Sequence, residues 1–260
     1  MPNFAANLSW LFTELDFLDR FKAAKKAGFN AVECLSPYEH HRFDIAAKLK
    51  EHDLQQVLFN MALGDWDKGE RGIAILPERR EDFKESLAMA MAYADTLDCK
   101  KIHCMAGIIP DECDLFELEA TYVSNLRYAA EEAASAGITL LIEPINSIDV
   151  PGYYLNYTEQ ASSVIEKVGA DNLAIQFDVY HVQKTQGDIA NTFKTYQNQI
   201  GHIQIADNPG RNEPGSGEIN FDFLFQYFDE LGYNGHISAE YTPKTTTQAG
   251  LDWFNKKQIA

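Results

Sequence analysis

Two kinds of hydrophobic segment alternate along the chain. Short runs rich in β-branched and aliphatic residues are followed by longer segments in which apolar residues recur every three or four positions. The first pattern is typical of buried strands, and the second is typical of helices that bury one face. The short runs predict eight strands, at residues 4–9, 31–34, 55–60, 101–105, 138–143, 173–178, 202–206 and 236–240.

Helical stripes lie between most of these strands. The first covers residues 17–24, and Thr13 is its candidate N-cap. Further stripes lie at residues 83–94, 115–129, 164–168, 189–193 and 221–228. A glycine follows several of the helical stretches, as expected of C-terminal stop signals. These glycines are Gly28, Gly137, Gly169 and Gly232.

The alternation predicts one α/β domain over residues 1–260. Eight strands, each followed by a helix, in about 250 residues match a (β/α)8 TIM barrel. A doubly wound open sheet is the alternative, but no G-x-G-x-x-G follows the first strand, so a dinucleotide-binding start is not indicated. Because active sites of such barrels lie at the C-terminal ends of the strands, those ends are where the chemistry is expected.

Four polar side chains end successive strands in the second half of the chain. Glu143, Asp178, Gln204 and Glu240 are 35, 26 and 36 residues apart, about one βα unit each, so a barrel brings them to one mouth. Three carboxylates in a buried mouth need a positive partner, because like charges raise one another's pKa. A divalent cation with oxygen ligands, Mg²⁺ or Mn²⁺, meets that need. The alternative is four unconnected residues, each solvated or capping the next helix.

Two residues near these strand ends are candidates for substrate contacts. His181 follows Asp178 by three residues, and Arg211 lies in the turn-rich loop after the seventh strand. An arginine fork matches a carboxylate in bidentate fashion. The alternatives are a hydrogen-bonded structural histidine and an incidental arginine in a solvated loop. In the same loop, Glu213 and Glu218 fit either of two roles, orienting Arg211 or capping the following helix.

The first half of the chain is less informative. Asn7 and Asn60 lie at or near the ends of the first and third strands, and Glu33 and His103 lie within the second and fourth. Each fits a place in the barrel mouth as well as it fits a hydrogen-bonded polar group of the core. Trp66 fits either a hydrophobic wall over the site or a packing role.

Charge and composition limit the partners. The chain has 22 basic and 39 acidic residues, a formal net charge of −17, which disfavours binding to nucleic-acid phosphates. An anionic substrate therefore needs a local positive site. We expect no membrane partner and a cytoplasmic location, because no export signal and no stretch of about 18 apolar residues occurs. The four cysteines form no CxxC pair and are expected to be reduced thiols.

Short motifs spread over the chain occur together in a known family. They include FAANLS from Phe4, LFN from Leu58, HCMAG from His103, QFDVYH from Gln176 and HIQIA from His202. RNEP, GEIN and GHISAEY follow later in the chain. As a set they resemble the hydroxypyruvate isomerase family of xylose-isomerase-like TIM barrels, to which ketose 3-epimerases and endonuclease IV are more distantly related.

The resemblance implies an enzyme that isomerises hydroxypyruvate to tartronate semialdehyde, in carbohydrate and glyoxylate metabolism, with a bound divalent metal, Mg²⁺ or Mn²⁺. It implies that Glu143 and Glu240 act as proton donor and acceptor. The same two residues, with Asp178 and Gln204, become the metal ligands. Gln204 stands where related ketose epimerases have a histidine.

The resemblance also implies substrate contacts. It places His181 and Arg211 on the substrate. In the expected mechanism, Arg211 and Lys244 hold the substrate carboxylate. The candidate substrates are hydroxypyruvate, the 2-oxo-tetronate of a close sister group, and a neutral ketose. Proton transfer through an enediol is the expected route, and a metal-assisted hydride shift is its rival.

Two other classes of function stay open. A DNA-repair nuclease of the endonuclease IV type is disfavoured by the net charge and by the lack of several histidine ligands at the strand ends. A silent barrel that binds a small acid is disfavoured by the presence of both Glu143 and Glu240. The expected partner is thus a small-molecule keto acid, and a homo-oligomer is left open.

Overall fold

Eight parallel strands close into a barrel in the computed structural model, which describes residues 2–259, with the side chains of 257–259 left out. The strands pair in chain order, and β8 closes the barrel against β1, with Ala6 opposite Ala239. The TIM-barrel prediction is confirmed, and the open sheet is excluded. The strands are β1 (Asn3–Asn7), β2 (Ala31–Cys34), β3 (Gln55–Asn60), β4 (Lys101–His103), β5 (Thr139–Ile142), β6 (Leu173–Asp178), β7 (Ile200–Ile205) and β8 (His236–Ala239).

Nine α-helices occur in the described part of the chain, and they follow the strands around the barrel. None of the helices within residues 2–259 combines the length and the apolar character needed to cross a bilayer. The helices are α1 (Phe17–Lys26), α2 (Arg42–Glu51), α3 (Arg80–Leu97), α4 (Leu115–Ala134), α5 (Thr158–Val168), α6 (Val179–Thr185), α7 (Ile189–Tyr196), α8 (Phe221–Glu230) and α9 (Asp252–Ile259).

The predicted strand boundaries agree with the observed ones to within two residues, and those of β2, β3 and β6 are identical. The helices α2, α6 and α9 were not predicted. The apolar stripe of α2 is short, since Ile45 and Leu49 are its only buried residues. The prediction that Thr13 caps the first helix is wrong, because α1 begins at Phe17 and its N-cap is Asp16.

The interior of the barrel is polar beneath its mouth. Glu33 on β2 and His202 on β7 point inward, and their side chains are 1% and 0% accessible respectively. Gln204, Ser238 and Asn7 complete this buried layer. These five residues, Asn7, Glu33, His202, Gln204 and Ser238, are called the inner network below. They lie directly beneath the carboxyl groups at the strand ends.

Candidate active site at the barrel mouth

A small cavity opens at the C-terminal ends of the strands. Its volume is about 80 Å³. This is far below the roughly 300–1,000 Å³ of pockets that hold drug-sized ligands, so the cavity suits a molecule of a few carbon atoms. Seven of the predicted site residues line it. They are Asn60, Trp66, His103, Glu143, His181, Arg211 and Glu240.

Three carboxyl groups are buried at this mouth. Asp178 is the last residue of β6, and Glu143 and Glu240 directly follow β5 and β8. Burial raises the pKa of Asp178 to about 6 and that of Glu240 to about 8. Burial also raises the pKa of Glu143 well above its ordinary value, and repulsion from Glu240 adds to the effect. Without an added positive charge, protons therefore stay on part of this cluster at neutral pH.

Arg211 brings a positive charge into the cluster. Its Nη2 lies 2.7 Å from Glu240 Oε2 and 3.6 Å from Asp178 Oδ2. The guanidinium stacks against the rings of Trp10 and Tyr180, 4.4 and 5.1 Å from their centroids. Arg211 opposes the effect of burial on the pKa of Glu240. Part of the positive charge that the carboxylates require thus comes from the protein itself.

The residues of the cluster fit a divalent cation. One ligand atom each from Glu143, Asp178 and His181 lie within 4.8 Å of one another. The Oδ2 atom of Asp178 is buried and has no hydrogen-bond partner within residues 2–259. Carboxylate oxygens in such a setting suit Mg²⁺ or Mn²⁺. The cluster is therefore of a kind that can hold one of these ions.

The amide of Gln204 is engaged in hydrogen bonds inside the barrel and does not face the cavity as a metal ligand would. Its Nε2 donates to Glu33 Oε1 at 2.7 Å and to Glu240 Oε1 at 3.3 Å, while its Oε1 accepts from Gln176 Nε2 at 2.6 Å. Asn7 lies beside it and donates to Glu33 at 2.8 Å and to Glu240 at 3.1 Å. In this arrangement both amides orient Glu240 from below, and neither lines the cavity.

The remaining carboxylate of the barrel, Glu33, is held by the inner network. His202 Nε2 lies 2.7 Å from Glu33 Oε2 and 3.1 Å from Ser238 Oγ. Burial opposes ionisation of Glu33, but His202, Ser238 and Gln204 outweigh it and hold the pKa of Glu33 below its ordinary value. Of its two possible places, the mouth and the core, the structure shows the second.

His181 presents an N–H group to the carboxylates. The Oδ1 of Asn146 accepts two backbone N–H groups, so its Nδ2 faces His181 Nδ1 at 2.6 Å and donates to it. Burial keeps the pKa of His181 well below its ordinary value, so the ring is neutral and its single proton is on Nε2. Nε2 lies 3.5 Å from Asp178 Oδ2 and 3.8 Å from Glu143 Oε1. This tautomer fits a hydrogen-bond donor to a substrate oxygen better than a metal ligand.

The residues from the first half form the opposite wall. His103 Nδ1 lies 3.3 Å from Asn60 Oδ1 and 3.7 Å from Glu143 Oε2. Burial lowers the pKa of His103 to about 3, so this imidazole is also neutral. Trp66 is 47% exposed and forms an outer wall of the cavity.

Lys244 lies apart from the cavity. Its Nζ donates to a backbone carbonyl of the β7–α8 loop at 3.1 Å, and its backbone N–H donates to Glu213 Oε2 at 3.0 Å. Glu218 accepts from Asn208 and Gln183. Neither of the two roles considered for Glu213 and Glu218 is seen, since Asn220 caps α8 and neither glutamate contacts Arg211 within the described residues.

The sequence analysis missed several residues of the site, among them Trp10, Arg71 and Asp207. Trp10 and Arg71 line the cavity. Asp207, two residues after the end of β7, accepts the backbone N–H groups of Gly215, Gly217 and Ile219 and so folds the loop that carries Arg211. An acidic residue between a strand and a Gly/Pro-rich loop was the available signal for Asp207. Trp10 and Arg71 lie in loops without periodicity, which left no comparable signal.

Residues 21–257 match the family described as xylose isomerase-like TIM barrel. The chain belongs to this family. It is 50% identical to the 2-oxo-tetronate isomerase of Cupriavidus necator over 98% of both chains, and 47% identical to the hydroxypyruvate isomerase of Escherichia coli over 98% and 99%. A solved structure described as an AP endonuclease of family 2 from Brucella melitensis is 42% identical, with a TM-score of 0.97 over 98% and 99% of the two chains.

These relatives confirm the family resemblance drawn from the motifs. Curated members of the xylose isomerase-like family at 47–50% identity are isomerases, and the present protein is an isomerase too. Their names divide between two keto acids, so the choice of substrate has to come from the site.

Proposed function

We propose that this isomerase converts hydroxypyruvate to tartronate semialdehyde, with 2-oxo-tetronate as the alternative substrate. The observation that supports it most is the pair Glu143 and Glu240, two buried carboxyl groups with raised pKa values that line one small cavity. A carboxyl group with a pKa near neutrality suits general acid–base catalysis. The small cavity, about 80 Å³, favours the three-carbon acid over longer substrates.

The reaction moves one hydrogen from C3 to C2 of the substrate. A carboxylate removes a C3 proton to give an enediol, a carboxylic acid returns a proton to C2, and the hydroxyl proton passes from O3 to O2. Arg211 favours the ionised form of Glu240, so Glu240 is assigned as the base and Glu143 as the acid. The Nε2–H of His181 donates to a substrate oxygen as negative charge develops there.

Two further features of the site support this chemistry, namely the candidate metal ligands and the apolar wall of the cavity. Glu143 and Asp178, whose oxygen atoms lie within 4.8 Å of each other, are the side chains that would hold Mg²⁺ or Mn²⁺, and Glu240 is the third carboxyl group beside them. When bound, such an ion supplies Lewis-acid stabilisation of the negative charge on the substrate oxygens. Leu63, Met105 and Val150 line the cavity and give it an apolar wall, which strengthens electrostatic interactions inside it.

The experiment that tests the proposal is a metal-restoration assay followed by NMR in D₂O. Enzyme stripped with a chelator receives Mg²⁺ or Mn²⁺ and then hydroxypyruvate or 2-oxo-tetronate in parallel. Metal-dependent turnover that favours hydroxypyruvate is the expected result, with deuterium at C2 of the product. Turnover without deuterium at C2 would indicate the hydride shift instead, unless the transferred proton is shielded from exchange with the solvent.

Two further substrates serve as controls. A preference for the four-carbon acid would retain the acid–base assignment and change the substrate. Turnover of a neutral ketose alone would contradict the keto-acid assignment. Cleavage of a duplex with an abasic site by the metal-loaded enzyme would support the nuclease function instead, which the net charge of −17 disfavours.

A further inference from the structure

Arg71 brings a second guanidinium into the mouth cavity, from the loop between β3 and α3. It lines the cavity together with Trp66, and its guanidinium carbon lies 3.4 Å from the centroid of the Trp66 ring. Stacking of this kind fixes the plane of the guanidinium and leaves its N–H edges free to bond in that plane. Arg71 is therefore a rigid cation at the rim of the site.

One edge of this guanidinium has no partner in the described structure. Arg71 Nη1 donates to the backbone carbonyls of Glu70 and Trp66 at 2.7 and 3.2 Å. Within residues 2–259, Nε and Nη2 make no hydrogen bond, and no carboxylate lies within ion-pair distance. The neighbouring Glu70 does not neutralise it, because its carboxylate accepts from Arg79 at 2.8 Å and from the backbone of Asp65 at 2.6 Å.

The backbone beside Arg71 is held in place. The N–H of Gly72 donates to the carbonyl of Leu63 at 2.8 Å, and Gly72 pairs with Ala106 in an antiparallel bridge. Gly72 has φ +95°, and a Cβ atom there would lie 2.3 Å from the carbonyl oxygen of Met105. This close approach to the loop after β4 fixes the position from which Arg71 enters the cavity. A binding group that is already in place loses little freedom when the ligand binds.

Arg211 is a poorer partner for a substrate carboxylate. Its Nη2 is already bonded to Glu240 and lies near Asp178. A substrate carboxylate beside Arg211 would stand among the carboxyl groups of the cluster and be repelled by them. Within residues 2–259 Arg71 forms no ion pair with a carboxylate, and it supplies the local positive site that a chain of net charge −17 needs for an anionic substrate.

We propose that Arg71 binds the substrate carboxylate through its Nε and Nη2 and is the residue that selects keto acids over neutral ketoses. This inference rests on the proposed function, since it names the group that recognises the acid in that same cavity. It sets the direction of the substrate. The carboxylate faces the rim at Arg71, and C2 and C3 face Glu143 and Glu240.

The test compares Arg71→Gln and Arg71→Lys with a matched control, Lys68→Gln. Lys68 lies on the same loop, pairs with Asp65, and its side chain is 81% exposed, so its replacement removes the same charge outside the cavity. KM and kcat are measured with hydroxypyruvate. Binding of glycerate, which keeps the carboxylate, and of glycerol, which lacks it, is measured by calorimetry. The melting temperature of each variant shows that it is folded.

For Arg71→Gln we expect KM for hydroxypyruvate and Kd for glycerate to rise roughly 10- to 100-fold, the range for loss of a charge-assisted hydrogen-bonded pair. The kcat value and glycerol binding stay nearly unchanged, and Lys68→Gln behaves as the wild type. Arg71→Lys keeps the charge but loses the fork, so its KM lies between the two. If Arg71→Gln does not fold, this Lys variant provides the test.

Two results would overturn the inference while leaving the proposed function intact. One is an Arg71→Gln variant that matches Lys68→Gln in KM and in glycerate binding. The other is a fall in kcat alone, which would place Arg71 in the chemical step. Failure of the wild type to isomerise either keto acid is a different outcome, because it overturns the proposed function, and glycerate binding then decides separately whether Arg71 recognises acids.

Discussion

Glu33 and Glu143 are two buried carboxyl groups in one barrel, and their surroundings move their pKa values in opposite directions. Their exposed fractions are 1% and 5%. Glu33 accepts hydrogen bonds from Asn7 and Gln204 and pairs with His202, and its pKa is lowered. The side chain of Glu143 makes no hydrogen bond within residues 2–259, and its pKa is raised well above the ordinary value.

The difference shows that burial alone does not decide the charge of these groups. Glu33 is ionised because hydrogen-bond donors surround its carboxylate oxygens. The inner network is therefore structural and offers no open carboxylate to a ligand. Glu143 lies at the mouth, where its side chain has no hydrogen-bond donor within residues 2–259 and the carboxyl groups of Glu240 and Asp178 are close. The carboxyl groups at the mouth are therefore available to bind a cation and a substrate. Buried charged groups without full pairing are expected at functional sites.

Replacing Glu143 or Glu240 with Gln is expected to give the largest effect on activity. Loss of a positioned general acid or base lowers kcat by about 100- to 10,000-fold. The fold of the protein is expected to be retained. The melting temperature is expected to stay the same or rise for Glu143→Gln, because repulsion within the cluster falls, and to stay the same or fall for Glu240→Gln, because Arg211 loses its carboxylate partner. Steady-state kinetics and thermal melting of the chelator-treated protein measure both. A variant that kept more than about a tenth of wild-type kcat, a loss under about 1.4 kcal/mol, would contradict the acid–base assignment.

Replacing Glu33 of the inner network with Gln is expected to lower the stability of the fold, in contrast to replacing Glu143. Glu33→Gln removes the carboxylate that bonds to His202, Asn7 and Gln204, and leaving a buried donor unsatisfied costs about 1–3 kcal/mol of unfolding free energy. Urea unfolding of Glu33→Gln and Glu143→Gln, side by side, measures the contrast. The carboxyl groups Glu143, Asp178 and Glu240 are called the mouth cluster. Equal stability of the two variants would show that pairing stabilises a carboxylate of the inner network no more than one of the mouth cluster.

A third expectation concerns pH and metal removal. The folded-state pKa values of Asp178, about 6, and Glu240, about 8, lie above their ordinary values, so these groups stabilise the metal-free fold below pH 4 and lose that contribution as pH rises through 6 to 8. A cation must displace the same protons, so its affinity rises over the same window.

The measurement is the shift in melting temperature caused by Mn²⁺ or Mg²⁺. We expect a larger shift at pH 8.5 than at pH 5.5, and proton release on binding in calorimetry. Asp178→Asn serves as the control and is expected to lose most of the shift. A shift that did not change with pH would indicate that the ion binds elsewhere.

The carboxylates of the site were predictable from the sequence because barrel topology fixes where strand ends meet. Glu143, Asp178 and Glu240 needed only the strand boundaries, which alternating hydrophobic runs define well. The amide orientation of Gln204 was not predictable, since it depends on Glu33, 171 residues away in sequence. Arg71 was missed because its place in the cavity depends on the contact between Gly72 and the loop after β4, which no local pattern encodes.

The smallest effect is expected at Lys244, which belongs neither to the inner network nor to the mouth cluster. The sequence analysis placed it on the substrate carboxylate, but its Nζ bonds to a loop carbonyl and it does not line the cavity. Lys244→Gln should therefore leave KM for hydroxypyruvate nearly unchanged and reduce the unfolding free energy by about 1 kcal/mol or less, the worth of one exposed hydrogen bond. Kinetics and urea unfolding check both values. A rise in KM as large as that expected for Arg71→Gln would contradict this expectation. It would mean that the β7–α8 and β8–α9 loops rearrange and bring Lys244 to the substrate.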